Sequence, residues 1–483
     1  MTLRTINRPA VIAPRFAIVL PRAHPAWITA AFLAVGVVLR LAAYLGNPSL
    51  WIDEAMIAHN VLSRDLAGLT RPLDFDQGAP LAFLFLCKFV AVPFGGDEFA
   101  LRLVPLLCGV ASLFVFTWVA FRLVNPFAAR VAVALFALSP DLVIYSAEFK
   151  QYSSDVLVAL LLVAMALTRW RPAAFAAAGA AAVWCSHPAL FVLGGVGVYF
   201  LLKYPTRPVV LAGAAWLASF ASCYVLFLRD LATNDYLVGY WAGSFLAPGD
   251  PVGSLKTVYY AFRRPFGLEG EPWMLKGFAA GLFALGALRW LRYDRPKLAL
   301  VGLPFAFTLA AAALHKYPFA GRMVLFLTPF VYLLLASAVV AVGRLHPRLM
   351  PVCLAALFVA PVGLQAKEWS SPRNPEAIRP LLDQIAGSRR PDDTVWVYHW
   401  AEPAFRYYAN GRFPRVKFGS ATRGDRSRVA DEVGPLTGRV WLVFSHHAAL
   451  EPARYREELL GRGRHLRTIE QPGAVAMLFD LSE

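Results

Sequence analysis

Long apolar runs dominate this chain, separated by short loops in which basic residues collect. The first spans roughly 25–45, and ten more of similar character follow before residue 366. A run of about 20 apolar residues, wound as a helix, covers the roughly 30 Å hydrocarbon core of a bilayer with every backbone group bonded internally. With 58% of 483 residues hydrophobic and a mean hydropathy of +0.52, an ordinary soluble domain is excluded. The expected fold is mainly α, a polytopic membrane protein of about eleven transmembrane helices with a soluble α/β domain at the C-terminal end.

The formal charge of +16 does not mean nucleic acid. The basic residues lie in short loops between apolar runs, where they encode orientation. Segment 80–95 tests this. It is short, carries Lys88 and is broken by Pro93 and Gly95-Gly96. If it crosses, there are twelve spans, and the basic clusters from Arg122 onward no longer fall on the cytoplasmic side. If it lies in the interface, Arg122, Arg130, Arg171, Lys203, Arg207, Arg289–Lys297, Arg344 and Arg348 share the cytoplasmic side. The second choice obeys the positive-inside rule. It places the basic tail 1–23 inside and the polar stretches 46–102, 145–155, 229–272 and 315–322 together on the outer face. The N-terminal region looks uncleaved, since its first apolar run is long enough to span. Ala/Arg/Gly/Pro-rich usage points to a bacterium. The five cysteines lie in apolar segments without metal-ligand spacing and read as small buried hydrophobes.

Composition changes after Lys367, which divides a membrane domain, 1–366, from an extracytoplasmic domain, 367–483. Strands are expected at 393–400, 414–418, 440–446, 466–470 and 474–479. Helices are expected at 376–387, 402–410, 425–433 and 450–461, giving a small α/β layer. No Gly-rich phosphate loop, H-E-x-x-H, G-x-S-x-G or Walker pattern occurs, so ATPase, zinc-protease and serine-hydrolase readings lose their usual support.

Four polar constellations stand out. Trp51-Ile-Asp53-Glu54 follows the first span, and 54–69 has a helical period that could lie along the interface. Adjacent carboxylates at a membrane edge suit general-base work on a hydroxyl. The competing reading is a helix cap, which explains one of the two. The stretch Ser139–Asp155 carries Glu148, Lys150, Gln151, Tyr152 and Asp155. Glu148 and Asp155 share a face if the following helix starts early. The alternative is a self-neutralising network of Glu148, Lys150 and Asp155. In His315–Arg322, the cations Lys316 and Arg322 flank Tyr317 on the side the positive-inside rule disfavours, which suits an anionic ligand or headgroup contact. Arg263-Arg264-Pro265 follows an amphipathic stretch, 252–262, and reads equally well as an interfacial anchor. His187, alone in its loop, reads as a loop histidine.

At these residues the chain resembles the GT-C-type membrane glycosyltransferases that use polyprenyl-phosphate sugars, a superfamily including protein O-mannosyltransferases and the lipid A aminoarabinose transferases. The matching residues are Trp51-x-Asp-Glu-Ala55 with Asn60, Gln77-x-Ala-Pro80, Gly96-x-Glu98-x-x-x-Arg102-x-x-Pro105, and Ser139-Pro140 with Tyr145 and the acidic 148–155 stretch. Tyr317-Pro-Phe-x-Gly-Arg322 and Ala404–Tyr408 complete the set. The resemblance implies Asp53 as catalytic base, a second acidic site at Asp155 or Glu148, and basic residues on the lipid phosphate. Both versions of the second acidic motif are present, Ser153-Ser154-Asp155 and Glu148-x-Lys-x-Tyr152, so the choice stays open.

The candidate catalytic residues are therefore Asp53, Glu54, Glu148 and Asp155. The candidate substrate-binding residues are Trp51, Lys150, Gln151, Tyr152, Lys316, Tyr317 and Arg322. No cofactor is demanded. A divalent metal, if used, would lie among Asp53, Glu148 and Asp155. The expected function is transfer of a sugar from a polyprenyl-phosphate donor to an acceptor on the outer face of the cytoplasmic membrane. The partners implied are that donor, membrane lipids and a cell-envelope acceptor of unspecified class, with no nucleic acid. The competing functions are a lipid or sugar transporter or flippase, and a non-catalytic subunit of an envelope-assembly complex.

Overall fold

A computed structural model describes residues 26–168, 170–247, 249–263, 273–371, 373–420 and 428–482. The basic tail and the Arg264-Pro265 motif lie outside these residues. Helices α1 (Ala26–Gly46), α2 (Ile52–Ser63), α3 (Leu81–Ala91), α4 (Glu98–Leu123), α5 (Pro126–Leu138) and α6 (Pro140–Ile144) form the first third. Next come α7 (Tyr152–Ala166), α8 (Pro172–Cys185), α9 (Ala189–Lys203) and α10 (Arg207–Cys223). A π-turn, Tyr224–Leu228, then leads into α11 (Arg229–Ala232) and α12 (Asp235–Tyr240). The last membrane-region helices are α13 (Pro251–Arg263), α14 (Trp273–Tyr293), α15 (Arg295–Ala313), α16 (Thr328–Leu345) and α17 (Met350–Ser370).

A helix stands on each of the eleven expected segments. Six described helical stretches are long and apolar enough to cross a membrane: 26–46, 98–123, 207–232, 295–313, 321–345 and 347–370. Local chemistry sets the ends. Asp97 accepts a hydrogen bond from the Ala100 N–H at 2.7 Å and starts α4, and Asn125 does the same for α5. Proline opens α5, α8, α10 and α15, where its missing N–H costs nothing. Segment 80–95 becomes α3, only 11 residues long. That is about 16 Å, half a bilayer core. Gly95 and Gly96, at φ +84° and +68°, end it in a conformation that other residues resist.

Two expectations are overturned here. The helix at 54–69 does not lie in the interface: α2 starts at Ile52, and most of its residues are buried, with helix α19 (below) packed on it. Nor does α7 start early. It begins at Tyr152, which leaves Glu148 in the preceding turn and off any face shared with Asp155.

The C-terminal part carries five strands: β1 (Thr394–Val397), β2 (Val416–Phe418), β3 (Gly438–Ser445), β4 (Arg464–Gln471) and β5 (Ala474–Leu481). They stand in the order β2-β1-β3-β5-β4, parallel across β2, β1 and β3 and antiparallel across β3, β5 and β4. Helices α18 (Ile378–Ser388), α19 (Glu402–Ala409), α20 (Val429–Val433) and α21 (Glu451–Leu460) accompany them, close to the expected ranges. The hydrophobic core does not divide where the composition does. Trp396, Trp441 and Ile378 belong to one buried cluster with Leu50, Ala55 and Ile57 of the α2 region and Phe83 and Leu84 of α3.

Polar pins reinforce that joint. The Leu50 N–H donates to Tyr408 Oη at 2.7 Å, and the Tyr408 hydroxyl donates to Glu98 at 2.9 Å. Arg379 pairs with Glu98 and donates to the Asn47 carbonyl at 2.9 Å. The Glu98 and Tyr408 motif residues thus dock the sheet onto the turn that carries Asp53.

Candidate active site

The carboxylates of Asp53 and Glu54 occupy the first turn of α2 and point to different places. Glu54 is buried, and Arg102 of α4 grips both its oxygens, at 2.9 and 2.7 Å. The Phe149 N–H also donates to Glu54, at 2.6 Å. Every contact of this carboxylate is with the protein itself, and it is not among the residues lining the cavity below. Glu54 ties the 145–151 turn to α4 through Arg102 and the Phe149 N–H. That turn sits tight against α4, because a Cβ at Gly109 would lie 2.4 Å from Ser146 Cβ.

Asp53 faces a cavity of about 1070 Å³. Its Oδ2 is 2.7 Å from Arg322 and 4.0 Å from Lys150 Nζ. Lys150 also donates to Gln77 Oε1 at 2.9 Å. Arg322 is seated among aromatic faces, its Cζ 5.2 Å from the Trp51 ring and 5.8 Å from those of Tyr152 and Trp241. Such faces hold a cation while leaving its N–H donors to point elsewhere. Burial pushes the Asp53 pKa up, but Lys150, Arg322 and His446 outweigh it and hold the carboxyl below its usual range. Burial pushes Lys150 down to about 8, despite the pull of Asp53.

Every expected substrate-binding residue lines this cavity: Trp51, Lys150, Gln151, Tyr152, Lys316, Tyr317 and Arg322. The four polar stretches expected to share one face therefore meet here. Lys316 is exposed at the cavity, and Tyr317 is tied back by a 2.8 Å bond from its hydroxyl to the Met323 carbonyl. Of the four carboxylates, Asp53 alone lines the cavity. Glu148 remains in the turn, and Asp155 is buried in α7. Lys150 reaches Asp53 and Gln77, and the Glu148 charge also acts on it. Among the described residues, no group of three or more His, Cys, Asp or Glu side chains could hold a metal ion.

Part of the lining is apolar. Leu190 and Phe191 of α9, Phe220 of α10, Tyr224 and Leu228 of the π-turn, and Leu231 form it. His187 lines the cavity too. The sheet domain adds a third wall: His399 and Trp400 follow β1, and His446 follows β3. These residues escaped the sequence reading. The available signal was their place after the carboxyl ends of adjacent parallel strands, where open sheets bind ligands.

The architecture has solved counterparts. ArnT from Cupriavidus metallidurans bound to undecaprenyl phosphate aligns with a TM-score of 0.58 at 14% identity, over 94% of this chain and 98% of that one. The apo form of the same protein gives a TM-score of 0.55 at 14% identity, over 94% and 97%. The chain has the fold of the GT-C glycosyltransferases. The archaeal oligosaccharyltransferase AglB from Archaeoglobus fulgidus, in complex with an inhibitory peptide and a dolichol-phosphate, aligns at 0.51 and 12% identity, over 95% and 74%. No protein-family model and no curated protein matches the sequence. The GT-C fold places the spans, the cavity and the sheet domain in one frame.

Proposed function

We propose that this chain moves a sugar from a polyprenyl-phosphate donor to an acceptor in the cavity at Asp53. The observation that carries this reading is the pairing of two kinds of wall in one space. Lys150 and Arg322 offer cations to a phosphate, and the α9, α10 and π-turn side chains offer an apolar face to a prenyl chain. The ligands named for the ArnT and AglB structures are polyprenyl-type phosphates, which suits such a cavity. Applied to the eleven segments, the positive-inside rule puts the cavity and the sheet domain on the extracytoplasmic side of the cytoplasmic membrane.

In the proposed step an acceptor oxygen or nitrogen attacks the anomeric carbon. The bond from that carbon to the phosphate oxygen breaks, and the polyprenyl phosphate leaves with the electron pair. Asp53 takes the acceptor's proton, a contribution typically worth roughly 10²–10⁴-fold. Arg322 and Lys150 stabilise the charge that grows on the leaving phosphate. The test is Asp53→Asn in membranes given labelled polyprenyl-phosphate sugar. Loss of transfer with retained donor binding is expected, and transfer at the wild-type rate rules out the assigned base. Passage of the donor across sealed vesicles without covalent transfer would instead make the chain a transporter.

A further inference from the structure

The sheet domain brings to the cavity a titratable pair that the step above does not use. His446 follows β3, and its Nδ1 lies 2.6 Å from Glu376 Oε1. Glu376 is buried, and its other oxygen accepts the Ile52 N–H at 2.9 Å. One carboxylate thus holds both the imidazole and the backbone next to Asp53. His446 sits at φ +53°, a left-handed conformation uncommon outside glycine, so its surroundings fix the ring's position.

Asp53, held by two cations, is a poor resting place for a proton. A proton taken from the acceptor has to move on before the next turnover. The charge of His446 is felt at Asp53, and both line the same cavity. We propose that the Glu376–His446 pair is the onward proton acceptor of the transfer step, an inference that rests on the function proposed above. With Nδ1–H donated to Glu376, proton exchange with the cavity falls to Nε2. The proton passes from the acceptor atom to an Asp53 oxygen and from there to His446 Nε2. The resulting imidazolium is balanced by the Glu376 carboxylate, as an orienting carboxylate does for histidine bases elsewhere. Glu376 faces the ring directly, and the cavity that His446 lines also carries Asp53, Asp76, Lys150, Lys316, Arg322 and His399. The His446 side chain is 30% exposed, which gives the proton a route to water.

The test uses the full-length protein in proteoliposomes. His446→Gly suits the positive φ and leaves space for a free ring. Its kcat for transfer from labelled polyprenyl-phosphate sugar should fall about 10–100-fold, with the donor KM unchanged, and added imidazole should restore the rate. Glu376→Gln keeps an oxygen for the Ile52 N–H but removes the charge facing His446, and its kcat should fall about tenfold. Wild-type kcat in His446→Gly overturns the proposal, as does a loss that imidazole fails to restore. Wild-type kcat in Glu376→Gln removes the carboxylate from it. If the unmodified protein transfers no sugar at all, the function proposed above fails first. An active wild type with an unaffected His446→Gly sinks only the relay.

Discussion

Glu54→Gln separates two neighbouring carboxylates that are alike in sequence and opposite in role. The side chains of Glu54 and Arg102 are each 1% exposed and 2.7 Å apart at closest approach. At that range, with an effective dielectric near 20, two unit charges attract by about 6 kcal/mol. That attraction offsets the several kcal/mol each ion loses on leaving water. Neutralising one partner leaves the other as a buried, uncompensated charge, at a cost of about 3–5 kcal/mol. For a chain this long, at roughly 2 °C per kcal/mol, the melting temperature should fall by about 6–10 °C. Arg102→Met should cost at least as much, because Asn47 Oδ1 and the Pro48 carbonyl also lose a donor. Glu54→Gln combined with Arg102→Met removes both charges, and the double-mutant cycle should return a coupling of about 2–3 kcal/mol. The assay is thermal unfolding in lipid nanodiscs, followed by tryptophan fluorescence, alongside sugar transfer below the melting range. Folded Glu54→Gln should still transfer sugar. Full stability together with lost transfer in Glu54→Gln would refute this reasoning and return Glu54 to the chemistry.

Arg322→Ala should weaken polyprenyl-phosphate binding about 10–150-fold, the equivalent of one charge-assisted hydrogen bond worth about 1.5–3 kcal/mol. Arg322→Lys should fall between, since it keeps the charge and loses the fork; unchanged affinity in both, measured by lipid-phosphate titration, would remove Arg322 from the donor site. Lys150, held down at about 8, is an ammonium below that pH and a neutral amine above it. Donor affinity should therefore drop as pH rises through about 8, and Lys150→Met should bind more weakly and flatten the profile. A wild-type titration that is level from pH 7 to about 9 would contradict that assignment.

Much of the architecture was legible from one-dimensional signals. Apolar runs of bilayer length, basic residues in the returns, and prolines and Asn/Asp at helix starts locate the membrane helices, because each signal acts within a few residues of its own position. Short continuous runs of β-branched and aromatic residues such as Val440–Ser445 locate strands of the sheet for the same reason. The alternation of polar stretches along the chain also anticipated that Asp53, Lys150 and Arg322 would share a face. It could not say which of two adjacent carboxylates faces a ligand.

That choice depends on a rotation of about 100° per residue along α2 and on what stands opposite each side chain. Arg102 is 48 residues from Glu54, and Arg322 is 269 residues from Asp53. The same limit hid His446 and the Glu376 behind it; His446 reaches the cavity because Tyr408, Arg379 and Glu98 lock the sheet onto the turn before α2. Sequence pattern determined that the chain would be a bundle of membrane helices with a polar face and a small α/β cap. Only the folded structure decided where the charges pair, because Coulomb and hydrogen-bond energies depend on separation in space, and the order of residues along the chain does not contain it.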